Sequence, residues 1–486
     1  MTILAFESGL QLAERLKQGD LSALELLDYF LDRVHRFNPQ LNAIIEIQEE
    51  EARACAIAAD TALAAQPSQS LGPFHGVPMT IKESFDVTGM HTTRGNLAFK
   101  DHIASTDALA VSRLRQAGAN IFGKTNVPLD LADFQSYNAI YGTTNNPWDL
   151  KRAAGGSSGG SAVAMAAGLS GIENGSDIGG SIRNPAHYCG VFGHKPTWGL
   201  LPPRGHAAPG VLAQSDLAVI GPLARSASDL EALLLAEAGP DEIMAGGYRL
   251  DLAQPKFSSL KELRVAAMVN SPLAPVSQAC ESRVEGVLEI IRGAGGQINY
   301  EARPDFDMGE GHEVYQNLLW AVMASRSDDA TYAQLSEEVS ALTPEDRSPR
   351  AQNLRARFAT YRDYSTANES RTHQRWAWHK FFQEYDLMIT PIMATPAFLH
   401  DHQPFGQRTV DVDGAPRPYF EQLFWAGLAI NSYLPATIVP TGALGDGLPI
   451  GVQIIGHEFG DLKVLQAAKL LEREGMIFIP PPGYED

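Results

Sequence analysis

The sequence predicts an α/β fold in one large domain. Short apolar runs of strand length alternate with helical patterns from one end to the other. No internal repeat and no linker-like stretch divides the chain. Its 486 residues, 44% hydrophobic and 20% charged, supply enough apolar material for a large core.

In order, residues 1–66 read as an N-terminal helical segment. Ser22 and Glu25 form a capping-box pair, and Leu24, Leu27, Leu31 and Val34 follow with helical spacing. Asn38-Pro39 is expected to stop that helix, and the Ala- and Glu-rich run Glu49–Ala65 to form another. Val77–Ile81 is an expected strand, which places Lys82 at its end. Residues 107–117 carry a helical stripe, and 118–125 read as a short strand. Residues 126–150 are loop-rich. Ala162–Leu169 reads as a buried helix of small residues. Further along come a helix at Ser228–Glu237, a strand at Leu263–Val269 and a helix at Arg283–Ala294. The polar, glycine-poor stretch 301–380 is expected to be helical and peripheral. Leu387–Ile389 reads as a buried strand closed by Pro391. The segment LPATIVPTGALGDGLPIGVQIIG reads as two core strands joined by a Gly/Asp turn, and Leu462–Glu474 as a last helix.

Residues 155–183, GGSSGGSAVAMAAGLSGIENGSDIGGSIR, hold two tight Gly-Ser clusters around the small-residue helix. Glycine lets the backbone turn sharply and brings amide N–H groups close to a ligand. Successive amides in such turns attract negative charge. The serines place hydroxyls in the same spot, so one stretch supplies both a nucleophile and an oxyanion hole. Ile178, Ile182, Arg183 and Pro185 are bulky, defined residues that a flexible linker would not need. Lys82 closes an apolar strand, where burial lowers the proton affinity of an amine whose reference pKa is ~10.4.

Two other motifs match and fail on context. Gly118–Thr125 fits the phosphate-loop pattern, but a helix precedes it, Ile121 and Phe122 fill the loop, and Pro128 follows closely. Gly155–Gly159 fits the nucleophile elbow of α/β hydrolases, but Trp148–Ala154 is a poor strand. The net charge of −19 argues against nucleic-acid and anionic-membrane partners. The three cysteines, Cys55, Cys189 and Cys280, lie far apart and indicate neither a disulfide framework nor a zinc site. Cys189 is expected to pack in the core. MTILAFESGL lacks a basic n-region, and no apolar run is long enough to span a membrane, so a cytoplasmic chain is expected.

GGSSGGSA and GSDIGGSIRNPA, with GVPMTIKE, GKTNVP, NPW, CGVFGHKPTWG, GPLARS and GLPIGVQIIG in that setting, resemble the amidase signature family of serine hydrolases. The resemblance covers about residues 70–240 and 385–475. It implies a central mixed, twisted sheet of about eleven strands covered by helices on both faces. It also implies a signature core at 67–240, a peripheral, partly helical, substrate-side region at 241–380, and core strands with a helix at 381–486. By the same resemblance Ser181 matches the nucleophile. Ser157 matches a bridging serine placed before a cis peptide bond, and Lys82 matches the base. The backbone N–H groups of Ile178, Gly179, Gly180 and Ser181 match the oxyanion hole, and Asp177 and Arg183 match positions that hold the nucleophile loop.

The chemistry suits these roles. A serine hydroxyl needs a base to take its proton, and Ser157 accepts one hydrogen bond while donating another. An amide would be cleaved through an acyl-serine with no metal or cofactor. The sequence departs from many relatives after Lys82, where Glu83-Ser84 stands. Phe420, Phe424 and Trp425, with Leu131 and Phe134, are candidates for an apolar acyl pocket. The C-terminal stretch YFEQLFWAGLAINSYLPATIVP is more like stand-alone bacterial amidases acting on small-molecule amides. The alternative is the glutaminase component (GatA-type) of glutamyl-tRNA amidotransferase, which releases ammonia from glutamine. The oligomeric state is not legible in the sequence, and a homodimer is compatible with it.

Overall fold

The computed structural model describes residues 3–65, 71–325, 327–443 and 447–485. Its strands are β1 (Ile44–Ile47), β2 (Pro78–Lys82), β3 (Asn120–Thr125), β4 (Tyr137–Asn138), β5 (Gly142–Thr143), β6 (Glu173–Asp177), β7 (Phe192–Lys195) and β8 (Val219–Ala224). They continue with β9 (Arg264–Ala267), β10 (Gln297–Asn299), β11 (Leu387–Thr390), β12 (Thr409–Val412), β13 (Ala415–Pro418), β14 (Ala436–Ala443) and β15 (Pro449–Ile455).

Eight strands form one mixed sheet in the order β10-β9-β11-β15-β14-β7-β8-β6, and three form a second in the order β1-β3-β2. A parallel bridge between Met79 and Ile172 joins β2 to the chain just ahead of β6. The two sheets therefore abut, and their eleven strands match the expected number. Because the bridge is parallel, β2 and β6 end on the same side. That brings Lys82, the last residue of β2, beside the turn that follows Asp177, the last residue of β6.

Local chemistry explains most of the elements. Ser22 caps the helix Ala23–Leu41 with the reciprocal Glu25 contact the sequence suggested. Leu26, Leu27, Phe30, Leu31 and Val34 form its buried stripe, while Leu24 is only partly buried. The helix does not stop at Pro39. A proline in the last turn removes a single N–H, and the helix ends instead at Asn42, which takes the left-handed conformation with φ 50°. The N-terminal region is also not all helical, because Ile44–Ile47 pairs antiparallel with β3. Gly118–Thr125 contains no phosphate loop: Asn120–Thr125 is a fully buried strand, and Lys124 donates to the His91 carbonyl and to Thr92 Oγ1. The Gly/Asp turn between β14 and β15 falls on residues outside those described. Residues 301–380 are helical as expected, but they are not merely peripheral, since Tyr315 on the helix Met308–Ala324 is fully buried against the site.

Candidate active site

Lys82 is fully buried. Its Nζ lies 2.7 Å from Ser157 Oγ, 2.9 Å from Ser158 Oγ and 2.9 Å from Ser176 Oγ. No carboxylate touches the amine among the described residues. Burial drives its proton affinity well below the lysine norm; the nearby Asp177 charge pulls the other way without offsetting it.

The two Gly-Ser turns interlock beside this amine. The first leads into the buried helix Gly159–Ala166 and the second into Arg183–Cys189. The peptide bond Gly156–Ser157 is cis, so it precedes Ser157 rather than following it, which corrects the sequence expectation. Gly156 N–H donates to Asn184 Oδ1 at 2.9 Å, and Ser158 N–H donates to the Ser181 carbonyl at 3.1 Å. Glycine is required at 156, because a Cβ there would sit 2.3 Å from the Asp133 carbonyl oxygen.

Ser181 is 6% exposed, and its hydroxyl has no hydrogen-bond partner among the described residues. The amides of Ile178, Gly179 and Ser181 have no acceptor among those residues either. Gly180 is different: its N–H donates to Asp177 Oδ1 at 2.8 Å. That amide is committed to the loop brace, so the free donors expected of an oxyanion hole number three rather than four. Gly180 has φ 105°, a left-handed backbone region that glycine enters freely.

Asp177 and Arg183 form the brace. The guanidinium donates to both carboxylate oxygens at 3.0 Å, and the Ile182 N–H adds a contact at 3.1 Å. Burial of Asp177 opposes its charge, but Arg183 outweighs it and holds the carboxyl at about 2. Arg183 also donates to Gln453 Oε1 at 2.5 Å, tying the Ser181 loop to β15. Tyr315 adds a second tether, its hydroxyl donating to the Ile178 carbonyl at 3.0 Å. Beyond Lys82, Glu83 accepts the N–H groups of Thr93 and Arg94, and Ser84 Oγ lies 2.9 Å from His206 Nε2.

The expected pocket residues divide. Phe134 is buried against Tyr419 and Phe420, each ring at 5.7 Å. Its neighbours Asp133 and Gln135 pack their backbone on Gly156, so Phe134 and Phe420 stand close to the serine turns. Leu131 is partly buried in a left-handed conformation with φ 63°. Phe424 and Trp425 belong to a second apolar cluster with Trp378, Phe381 and Phe382. Trp425 is fully buried, with its indole N–H on the Ala274 carbonyl at 3.0 Å, and so is a core residue rather than a pocket wall. Phe424 lines a small cavity with Phe306, His312, Trp378 and Asn431. In contrast, Leu423 and Ala426 of the same helix approach Gly179 and Gly180. That helix, Leu423–Ile430, is apolar all round, so the sequence held no periodicity to tell its faces apart. Sequence reasoning also missed Ser158, Ser176, Gln453 and Tyr315. Ser158 was visible beside Ser157 in GGSSGG, whereas Tyr315 and Gln453 carry no local signal. Cys189 is buried, its thiol 3.4 Å from the Ala154 carbonyl, as expected for core packing. Among the described residues no helix is long and apolar enough to cross a membrane.

A family model described as Amidase matches residues 25–465, and the chain belongs to the amidase signature family of amide-hydrolysing enzymes. The GatA-type component of glutamyl-tRNA(Gln) amidotransferase from Synechococcus sp. (strain CC9605) is 32% identical to it, over 96% of each chain. Among solved structures, 6-aminohexanoate cyclic dimer hydrolase complexed with substrate superposes with a TM-score of 0.78 at 27% identity, covering 98% of this chain and 99% of its own. A bacterial aryl acylamidase of the amidase signature family superposes with a TM-score of 0.78 at 22% identity, covering 97% and 96% of the two chains, a likeness of fold alone.

Proposed function

We propose that this chain is a stand-alone amidase that hydrolyses small carboxylic amides, in the range of aryl and alkyl amides, anilides and carbamates. The observation that carries the reading is the buried Lys82 amine, in contact with no carboxylate among the described residues and 2.7 Å from Ser157 Oγ beside the Ser181 turn.

A free amine has two hydrogens and one lone pair, so of three serine hydroxyls around it one must donate. Ser158 directs its hydrogen to the Ser176 carbonyl at 3.3 Å. That leaves the hydroxyls of Ser157 and Ser176, and of the two Ser157, at 2.7 Å and in the turn beside Ser181, is the one suited to pass its proton to Nζ. Ser157 then accepts the proton of Ser181 as Ser181 attacks the amide carbon. The amides of Ile178, Gly179 and Ser181 stabilise the oxyanion. On collapse of the tetrahedral intermediate the proton returns through Ser157 to the leaving amine. Water then attacks the acyl-serine along the same relay and releases the acid. No hydrogen bond joins the Ser157 and Ser181 hydroxyls directly in this structure, and the relay calls for that contact to form as the amide is attacked.

A second reading has a specific observation behind it: the relative at 32% identity over 96% of both chains is one component of an amidotransferase. In that reading the same serine relay would release ammonia from glutamine for a partner. The purified chain, assayed on glutamine, aliphatic amides, nitroanilides of graded acyl length and aryl carbamates beside Ser181→Ala, separates the two. Turnover of anilides or carbamates that vanishes in the variant supports the stand-alone hydrolase. Glutamine turnover alone, or none without a partner, supports the second reading. Activity that survives in Ser181→Ala overturns the nucleophile assignment.

A further inference from the structure

Arg357 is a partly buried cation that no acid among the described residues pairs with. It ends the helix Pro349–Arg357, and its guanidinium lies over the Trp320 ring at 4.8 Å. Its Nε donates to Asn353 Oδ1 at 2.8 Å, a neutral partner on the same helix, and its terminal nitrogens donate to no described residue. Glu338, the acid whose charge reaches it, is paired with Arg350 at 3.0 Å. A run of aromatic rings joins this cation to the serine turns. Trp320, on the helix Met308–Ala324, meets Phe420 edge to face at 6.1 Å, and Phe420 meets Phe134 at 5.7 Å. Phe134 lies between Asp133 and Gln135, whose backbone atoms would be 2.3 and 2.7 Å from a Cβ at Gly156. On the other side, three residues after Phe420, Leu423 covers the second turn: a Cβ at Gly179 would lie 3.2 Å from Leu423 Cδ2. Phe420 thus stands between the turns that carry Ser157 and Ser181. Phe420, Trp320 and Arg357 each keep part of their surface in solvent. Arg408, the other arginine on these rings, lies over Phe405 but is bound to Asp133 at 2.7 Å.

From this line of contacts we propose that Arg357 recognises a carboxylate at the far end of the substrate, and that the rings from Phe134 to Trp320 receive the apolar arm joining it to the scissile amide. The inference rests on the amidase reading and names its substrate class: amides with an aryl or alkyl arm that ends in a carboxylate. A guanidinium stacked on an indole uses its face and leaves the N–H groups along its edge free, in the fork that fits a carboxylate. Partial burial strengthens such a pair beyond what a fully exposed one contributes. The ring faces offer a polar arm no hydrogen-bond partner, so the arm that crosses them is apolar. It is either the acyl group or the leaving amine. The recognising chemistry is the same for both, and two substrate series separate them.

The test is kcat/KM of the purified chain on each series, taken as a ratio to the neutral counterparts. One series carries the carboxylate on the acyl side: the monoanilides of adipic, suberic and sebacic acid beside hexanoyl, octanoyl and decanoyl anilide. The other carries it on the amine: octanoyl amides of an aminophenylbutanoate beside those of butylaniline. Wild type should favour the carboxylate by about 10-fold in one series, chiefly through KM, since the contact is the same before and during attack. Raising salt from ~0.05 to ~0.5 M should shrink that preference. Arg357→Met, which keeps a stem over Trp320, should bring the ratio near one, and Arg357→Lys, which keeps the charge, should retain part of it. A ratio does not register a loss of folded protein, and if neither variant folds the salt dependence of wild type carries the test. A wild-type ratio at or below one at every length in both series overturns the role of Arg357. So does a ratio unmoved by Arg357→Met or, without the variants, by salt. Each of these leaves the amidase reading standing where Ser181→Ala abolishes turnover. A wild type that turns over no anilide overturns that reading, and this inference with it.

Discussion

Lys82 has work to do only because it is buried. An exposed lysine is neutral about once in a few thousand molecules at pH 7, too seldom to serve as a base. Here burial drives the amine's proton affinity well below the lysine norm, and three hydroxyls give it hydrogen-bond partners with no carboxylate in contact among the described residues. Lys82→Met should therefore lower kcat/KM by about 10²- to 10⁴-fold, the usual contribution of a general base. It should leave the thermal midpoint near or above that of the wild type, since it removes a buried amine. A variant that keeps full activity would place the base elsewhere. That Lys82, Ser157 and Ser181 meet in one place was legible from motif order, because each sits in a run of unusual composition. The contacts of Ser176 and Tyr315 were not, because they are made across the fold, and an isolated Ser or Tyr is ambiguous until its neighbours are known.

At the scale of elements, two supports hold the Ser181 loop from outside the signature stretch. One is the helix Leu423–Ile430, whose Leu423 and Ala426 approach Gly179 and Gly180. The other is the helix Met308–Ala324, whose Tyr315 hydroxyl holds the Ile178 carbonyl. They meet at Gly427, where a Cβ would lie 2.6 Å from the Tyr315 ring. Gly427→Ala should destabilise the protein by about 1–3 kcal/mol, as overpacking does. Tyr315→Phe removes only the hydroxyl, and should lower kcat several-fold with little change in the thermal midpoint if that tether orients the Ile178 amide. Equal kcat in Tyr315→Phe and wild type would confine Tyr315 to packing. β6 was missed in the sequence because ENGSD is polar and strands are recognised by apolar residues. It is buried on all sides because Glu173, Asn174 and Asp177 find partners inside: Thr80, Glu237 and Arg183. β1 was missed because four residues between two helices carry too short a pattern.

Across the whole molecule, the eleven strands bring together residues that the chain spaces far apart. Alternating strand and helix patterns were enough to predict the α/β class. The strand order was not, because it depends on pairings such as β11 with β15 that no local signal encodes. Such a core also tolerates buried acids, with a consequence for stability. Glu237 is buried, accepts a hydrogen bond from Asn174 Nδ2 at 2.6 Å, and is raised to about 8 by burial. Unfolded, it titrates near ~4.3. Between those two values the folded state holds a proton that the unfolded chain has released, so this group makes stability fall as pH rises. Glu237→Gln should therefore shrink the drop in thermal midpoint between pH ~5 and ~8. An unchanged drop would mean that Glu237 is ionised in the folded protein.

The central claim is that Ser181, activated through Ser157 by Lys82, forms a covalent acyl intermediate. The most direct measurement is mass spectrometry of the chain after incubation with phenylmethanesulfonyl fluoride, followed by peptide mapping. The account expects a single sulfonyl adduct on Ser181, absent in Ser181→Ala and formed much more slowly in Lys82→Met. An adduct on another residue, or labelling of Ser181 at an equal rate in Lys82→Met, would contradict it.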